Sequence, residues 1–229
     1  MRELYLECYS GISGDMTVAA LLDLGVPGEY LMKELEKLHL DGYEIKISKT
    51  KKNQITATDF DVILKDEHKE EHGHEHVHTH VNDEDVKECH EQEHSQEHTH
   101  VHNSYREIKE FILASKLSDR VKEMILKIFQ VIAEAEAQVH GTAVDEVHFH
   151  EVGAVDSIVD ISAAAICLDY LGFDSIVTSE IWEGKGHVWC QHGRIPVPAP
   201  AVLAIFSKSQ TRLHLSGVQG EMVTPTGAG

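Results

Sequence analysis

Leu4-Tyr5-Leu6-Glu7-Cys8-Tyr9-Ser10-Gly11-Ile12-Ser13-Gly14-Asp15-Met16 is the stretch on which the fold turns. Its first five residues are aliphatic and aromatic enough to read as a strand, and they run straight into a Gly/Ser loop. Asp15 is placed to cap an apolar run over 16–24, which reads as a helix closed by Gly25. A strand feeding a helix through a tight loop is the building unit of α/β architecture. Outward from it, the pattern predicts a second helix over 29–38 behind Pro27. Segments 43–50 and 55–64 alternate apolar and polar residues around Lys52-Asn53, the signature of a hairpin.

The later chain continues the alternation of element types. Ser104-Tyr105-Arg106-Glu107 has the spacing of a capping box and opens a helix through Leu113. Ser118 starts a longer helix, with Val121, Ile125, Ile128, Ile132, Ala135 and Val139 at helical spacing and His140-Gly141 at its end. A short strand is expected over 146–150, a helix over 157–170, strands over 175–180, 186–190 and 211–216, and a short helix over 201–206 after the turn Pro196-Val197-Pro198-Ala199-Pro200. The fold class is α/β, with α+β as the other arrangement: a mixed sheet with flanking helices, interrupted by a disordered His-rich insert. We divide the chain into an N-terminal segment 1–64, the insert 65–103 and a C-terminal segment 104–229.

With 229 residues there is room for one sizeable or two small domains. Twenty Lys+Arg against 39 Asp+Glu give a net charge of −19, which argues against nucleic-acid or anionic-membrane binding and favours cations. Eleven of the 18 histidines fall between His68 and His102. Residues 65–102 carry a net −9 of that charge and only four valines as aliphatic side chains, too little apolar area to offset the entropy of ordering. His72, His74, His76, His78 and His80 alternate, as do His98, His100 and His102, so an extended chain places successive imidazoles on one side. Neutral imidazole with neighbouring carboxylates suits Ni(II), Zn(II) or Co(II); a low-complexity polar linker is the other reading. Cys8, Cys89, Cys167 and Cys190 are far apart and form no CxxC, as expected of a reducing compartment. MRELYLECYSG lacks the regions of a signal peptide. The longest apolar run, 158–171, is too short for a membrane span and contains Asp160 and Asp169. A cytoplasmic protein is expected.

Three ordered segments offer chemistry. His148-Phe149-His150-Glu151 precedes Asp156 and Asp160, which lie four apart at a helix start and so share a face. His148 and His150 on one strand face would be metal ligands or acid/base groups, unless the strand is ordinary and Asp156 is a cap. Gly11, Ser13 and Gly14 sit at a helix N-terminus where amides can bind phosphate, although no P-loop or Rossmann fingerprint is present. Asp15 would cap the helix or point at a metal. Arg194 is a candidate anion clamp, and Gly220-Glu221-Met222-Val223-Thr224-Pro225-Thr226-Gly227 is a polar turn of the kind that lines sites. The chain stops at Gly229 without a closing helix, so it is expected to be part of a longer protein. His39, His140 and His214 are read as structural.

Taken together, Gly11-Ile12-Ser13-Gly14-Asp15-Met16, His148-Phe149-His150-Glu151-Val152-Gly153-Ala154-Val155-Asp156 with Asp160, His192-Gly193 before Pro196-Val197-Pro198-Ala199-Pro200-Ala201, and the 220–227 turn resemble the LarC family. These proteins insert nickel into the pincer nucleotide cofactor of lactate racemase. The resemblance implies a CTP-dependent cyclometallase of the lyase class, acting on pyridinium-3,5-bisthiocarboxylic acid mononucleotide with Mg(2+) or Mn(2+) bound to CTP. The nucleotide-binding part would lie in a C-terminal portion beyond these residues. On this reading Glu151, Asp156 and Asp15 are the catalytic candidates. Gly11, Ser13, Gly14, Arg194, Thr224 and Thr226 are candidates to bind the nucleotide. The tract histidines, His148, His150 and Asp160 are metal ligands. Expected partners are nickel, the precursor, CTP, the C-terminal portion, lactate racemase and further copies of the chain. Nickel storage or delivery without catalysis is the alternative, and a zinc hydrolase on His148 and His150 is a third reading that lacks an HExxH helix.

Overall fold

The computed structural model describes residues 1–65, 104–149, 155–190, 192–209 and 211–229. The expected disordered insert with its histidine tract, together with His150 and Glu151, lies outside the described residues. From the N terminus the chain forms β1 (Glu3–Leu6), α1 (Gly14–Asp23), α2 (Gly28–Leu35), β2 (Tyr43–Lys52) and β3 (Ile55–Leu64). Then come α3 (Tyr105–Ala114), α4 (Asp119–His140) and α5 (Val155–Leu171), followed by β4 (Ser175–Thr178), β5 (Ile181–Cys190), β6 (Gly193–Val197), α6 (Pro200–Lys208), β7 (Leu213–Gln219) and the single turn α7 (Pro225–Ala228). Parallel and antiparallel pairing both occur, spread among the described residues over three small sheets. β1 runs parallel to β4, β2 and β3 form an antiparallel hairpin, and β5 lies between antiparallel β6 and parallel β7.

The segments before and after the insert share one core. Leu4 of β1 pairs with Ile176 of β4, and α1 and β3 both pack on α5. The described residues of 1–65 and 104–229 accordingly make one compact unit, so the insert divides the sequence but not the core. At the centre is α5, whose Ile158, Val159, Ile161, Ala163, Ala165, Ile166 and Cys167 are all buried. A helix apolar on every side belongs in a core, where truncating one large aliphatic side chain costs about 2–5 kcal/mol. Burial also pushes the Cys167 thiol up to about 12 and raises that of Cys8, and both cysteines are unbridged. Among the described residues no helix is long and apolar enough to cross a membrane.

Local chemistry explains the element ends. The Ser104 hydroxyl accepts from the Glu107 N–H at 3.2 Å while the Glu107 carboxylate accepts from the Ser104 N–H at 3.1 Å, completing the capping box. Ser118 accepts from the Val121 N–H at 3.3 Å, and Gly141, at φ 67°, ends α4 in the left-handed region. The buried stripe of α4 passes through Phe129 rather than Ile128, and Val139 emerges 42% exposed. The helical period of about 3.6 residues makes one face drift along a helix of 22 residues. The hairpin turns at Asn53-Gln54, with φ of 50° and 68°, the two positive values that a two-residue hairpin turn requires and that Asn tolerates.

Three expectations are corrected. Ser13, not Asp15, caps α1: its hydroxyl accepts from the Met16 N–H at 3.4 Å, and Asp15 occupies the first turn. No strand forms over 146–149. The chain makes a short helical turn over Val144–Glu146, and His148 forms one bridge with Ser104. Val147 and Phe149 alternate with His148 because they insert into the core, with the Phe149 ring 6.1 Å from Phe129 and 6.5 Å from Tyr105. β5 begins five residues earlier than expected, at Ile181, since its first half holds a buried acid and a bulge. Of the histidines read as structural, His140 lies 3.3 Å from Glu136 and His214 3.1 Å from Glu180.

Candidate functional site

The loop between β1 and α1 is held from within the chain. Gly11 has φ +84°, and a side-chain carbon there would lie 1.9 Å from the Met222 carbonyl oxygen. That contact lets the Ile12 N–H donate to Met222 O at 2.9 Å and the Thr224 N–H donate to Ile12 O at 3.2 Å. At Gly14 a side-chain carbon would stand 2.9 Å from Asp160 Oδ2, so a glycine is what allows that carboxyl to approach the start of α1. The close approach allowed by both glycines is thus taken up by Met222 and Asp160.

The 220–224 turn is anchored in turn by Glu183 of β5, which is 0% exposed. Its Oε1 accepts from the N–H groups of Gly184 at 2.6 Å, Met222 at 2.6 Å and Val223 at 3.3 Å, while Oε2 is buried without a hydrogen-bond partner. Beyond it Thr224 caps α7, accepting from the Gly227 N–H at 3.2 Å, and the Thr224 and Thr226 hydroxyls lie 2.8 Å apart.

Where these loops meet the start of α5 there is a cavity of about 340 Å³. Ser13 and Asp15 from the first loop, Asp156 and Asp160 from α5, Asp61 from β3, and Glu221, Thr224 and Thr226 from the last turn all line it. Residues more than 200 positions apart therefore face one space. The Ser13 hydroxyl donates to the Asp15 carboxylate. Asp160 is the distinctive group. Burial first, then the neighbouring charges of Asp15 and Asp156, push its carboxyl up to about 7, against a smaller pull from the Asp15 N–H. Its Oδ1 is buried with no hydrogen-bond partner. A carboxyl that gains and loses its proton near neutral pH is suited to acid/base work.

Hard oxygen donors of this kind attract divalent cations. Among the described residues, however, no three His, Cys, Asp or Glu side chains are already gathered to hold an ion. A cation would have to draw the carboxylates together.

Of the sequence candidates, Ser13, Asp15, Asp156, Asp160, Thr224 and Thr226 come together here. Arg194 and His148 do not line the cavity. Arg194, on β6, has a guanidinium nitrogen 3.3 Å from His187 Nδ1 of β5, and His148 is exposed on its own segment. Sequence reasoning missed Asp61 and Glu183. Asp61 sits on the exposed face of an alternating strand and looks like an ordinary solvated acid. Glu183 did leave a signal, since it shares the buried strand face of Ile181, where an acid needs a partner.

The geometry places Ser13 and Asp15, Asp156 and Asp160, and Glu221, Thr224 and Thr226 around one space, and comparison with known proteins agrees with what those motifs resemble. A family model described as nickel insertion protein matches residues 4–229. The chain belongs to the nickel insertion protein family. Within this family it is similar to the pyridinium-3,5-bisthiocarboxylic acid mononucleotide nickel insertion protein of Alkaliphilus metalliredigens, 51% identical over 233 residues, covering 99% of this chain and 51% of that protein. The protein of that name from Clostridium acetobutylicum is 54% identical over 230 residues, covering 100% of this chain and 54% of its own length. A putative nickel insertion protein of Wolinella succinogenes is 44% identical over 229 residues, 100% of this chain and 50% of that one. The chain spans about half the length of the curated relatives it matches. No solved structure matches it.

Proposed function

We propose that this chain forms the nickel-loading part of a cytoplasmic, CTP-dependent nickel insertase of the lyase class. The insertase would act on pyridinium-3,5-bisthiocarboxylic acid mononucleotide to make the nickel-pincer cofactor of lactate racemase. The observation that carries this reading is the meeting of Asp15, Asp156, Asp160 and Glu221 in one cavity, in a chain matched over 4–229 by the nickel insertion family. Nickel enters as the substrate ion. As the Ni–C bond forms from the electron pair of a ring C–H, the ring proton must go to a base. Asp160, ionising near pH 7, is matched to take it. Asp15, Asp156 and Glu221 draw the ion in. CTP, with Mg(2+) or Mn(2+), would be held mainly by the remaining half of a longer protein, in keeping with the relatives' lengths. The histidine tract supplies nickel, and Glu151, His148 and His150 serve its transfer. Assembly into homo-oligomers belongs to the same proposal.

Storage without catalysis is separated by one experiment. Nickel insertion into the precursor is followed with CTP, in this chain joined to the remaining half of the Clostridium acetobutylicum relative, with and without residues 66–103. The insertase reading expects insertion to persist without the tract at high nickel. No insertion by either form, at any nickel concentration, would leave storage as the function.

A further inference from the structure

A second cavity, of about 390 Å³, adjoins the acidic one, and the two share Asp15 and Phe60. It lies between α1 and the tip of the β2–β3 hairpin. Thr50, Lys52 and Asn53 form its polar wall, and Met16, Ala19 and Ile55 its apolar wall. The lysines of this hairpin stand out in a chain of net charge −19. Lys49 is engaged by Asp23 and Thr58. Lys52 has no acidic partner among the described residues and borders the cavity. An unpaired ammonium beside an amide, a hydroxyl and an apolar wall suits a phosphate ester carried on an organic body.

Building on the insertase reading, we propose that this cavity is the subsite for a nucleotide phosphate. Lys52, Asn53 and Thr50 hold the phosphate, and the Met16, Ala19 and Ile55 wall packs against the sugar or ring. The shared residue Asp15 sets the order of events. Asp15 and Asp59 both border the cavity and repel an anion, so phosphate binds well only when a divalent cation on the neighbouring carboxylates offsets Asp15. The metal enters first and the nucleotide second. The phosphate chemistry is common to the pyridine mononucleotide and to CTP.

The test is equilibrium dialysis of the full chain against nicotinic acid mononucleotide, its phosphate-free riboside and CTP, each with and without saturating nickel. The wild type should hold the mononucleotide or CTP about tenfold or more tighter than the riboside, and only with nickel present. Lys52→Met should erase that ratio, and Lys52→Arg should keep most of it. Lys52 is exposed at the hairpin end, and matched melting curves check that the fold is unchanged. Loss of CTP affinity alone in Lys52→Met assigns the subsite to the triphosphate, and loss of mononucleotide affinity alone assigns it to the monoester. Equal binding of riboside and nucleotides, or a ratio unmoved by Lys52→Met, overturns the subsite. The nickel retained in the same cells judges the insertase reading separately: Lys52-dependent phosphate binding with no nickel retained sinks that reading and overturns the metal-first order, and leaves the Lys52 phosphate contact alone standing.

Discussion

Replacing Asp160 with Asn should flatten the pH dependence of stability between about pH 4 and pH 8 and slow nickel insertion about 10²-fold or more. In the folded chain this carboxyl ionises at about 7, whereas an unfolded Asp ionises near 3.9. The folded state therefore holds the proton more tightly. Its relative stability is fully present below about pH 4 and is lost as pH rises through about 7, by about 2–4 kcal/mol in all. Asn carries no proton to lose, so the variant should be the more stable protein above pH 7. Asp23 does not confuse the measurement. Its carboxyl is lowered to about 2 by its bonds to Lys49 and Thr58, so its contribution is present above about pH 4 and lost only as pH falls through about 2. Urea unfolding at pH 5 and pH 8 reads the difference directly. Identical profiles in wild type and Asp160→Asn would remove Asp160 as the group titrating near neutrality.

Glu183→Ala should cost about 3–5 kcal/mol of stability and abolish nickel retention in the acidic cavity. Three N–H groups, two buried and that of Met222 half-buried, converge on Glu183 Oε1 at 2.6, 3.3 and 2.6 Å, and alanine removes the acceptor of all three. Two of them belong to Met222 and Val223, so the turn carrying Glu221, Thr224 and Thr226 loses its anchor together with its contacts to Ile12. Glu183→Gln keeps a carbonyl oxygen in place of Oε1 and should lose much less. Hydrogen exchange at the Met222 and Val223 amides separates the two variants. If those amides stay as protected in Glu183→Ala as in wild type, Glu183 does not position the turn.

Much of the fold was legible because local signals and tertiary packing agree. Ser104 with Glu107, Ser118 with Gly141, and the Asn53 turn each have a short-range cause that a sequence displays openly. The strand expected over 146–150 failed for a tertiary reason. Val147 and Phe149 alternate with His148 like a strand, yet they are knobs inserted among Phe129 and Tyr105. The start of β5 was hidden by Glu183 and Gly184, residues that break strand patterning and are there to meet the 220–223 turn. In the site, Ser13, Asp15, Asp156, Asp160, Thr224 and Thr226 were readable as motif residues, although nothing in their spacing puts them around one cavity. Asp61 and Lys52 were invisible, because an alternating hairpin displays such residues to solvent by default and only the packing of α1 turns those positions into walls. Arg194, read as an anion clamp, lies outside this cavity, beside His187 on the neighbouring strand.

The central claim is that the folded cavity, and not only the histidine tract, holds nickel. Equilibrium dialysis of the chain with residues 66–103 replaced by a short Gly/Ser linker tests it most directly. The account predicts that a single nickel ion per chain is retained at micromolar concentration near neutral pH, and that it is lost when Asp15 and Asp156 are both changed to Asn. No retained nickel, or nickel indifferent to that double substitution, would contradict it.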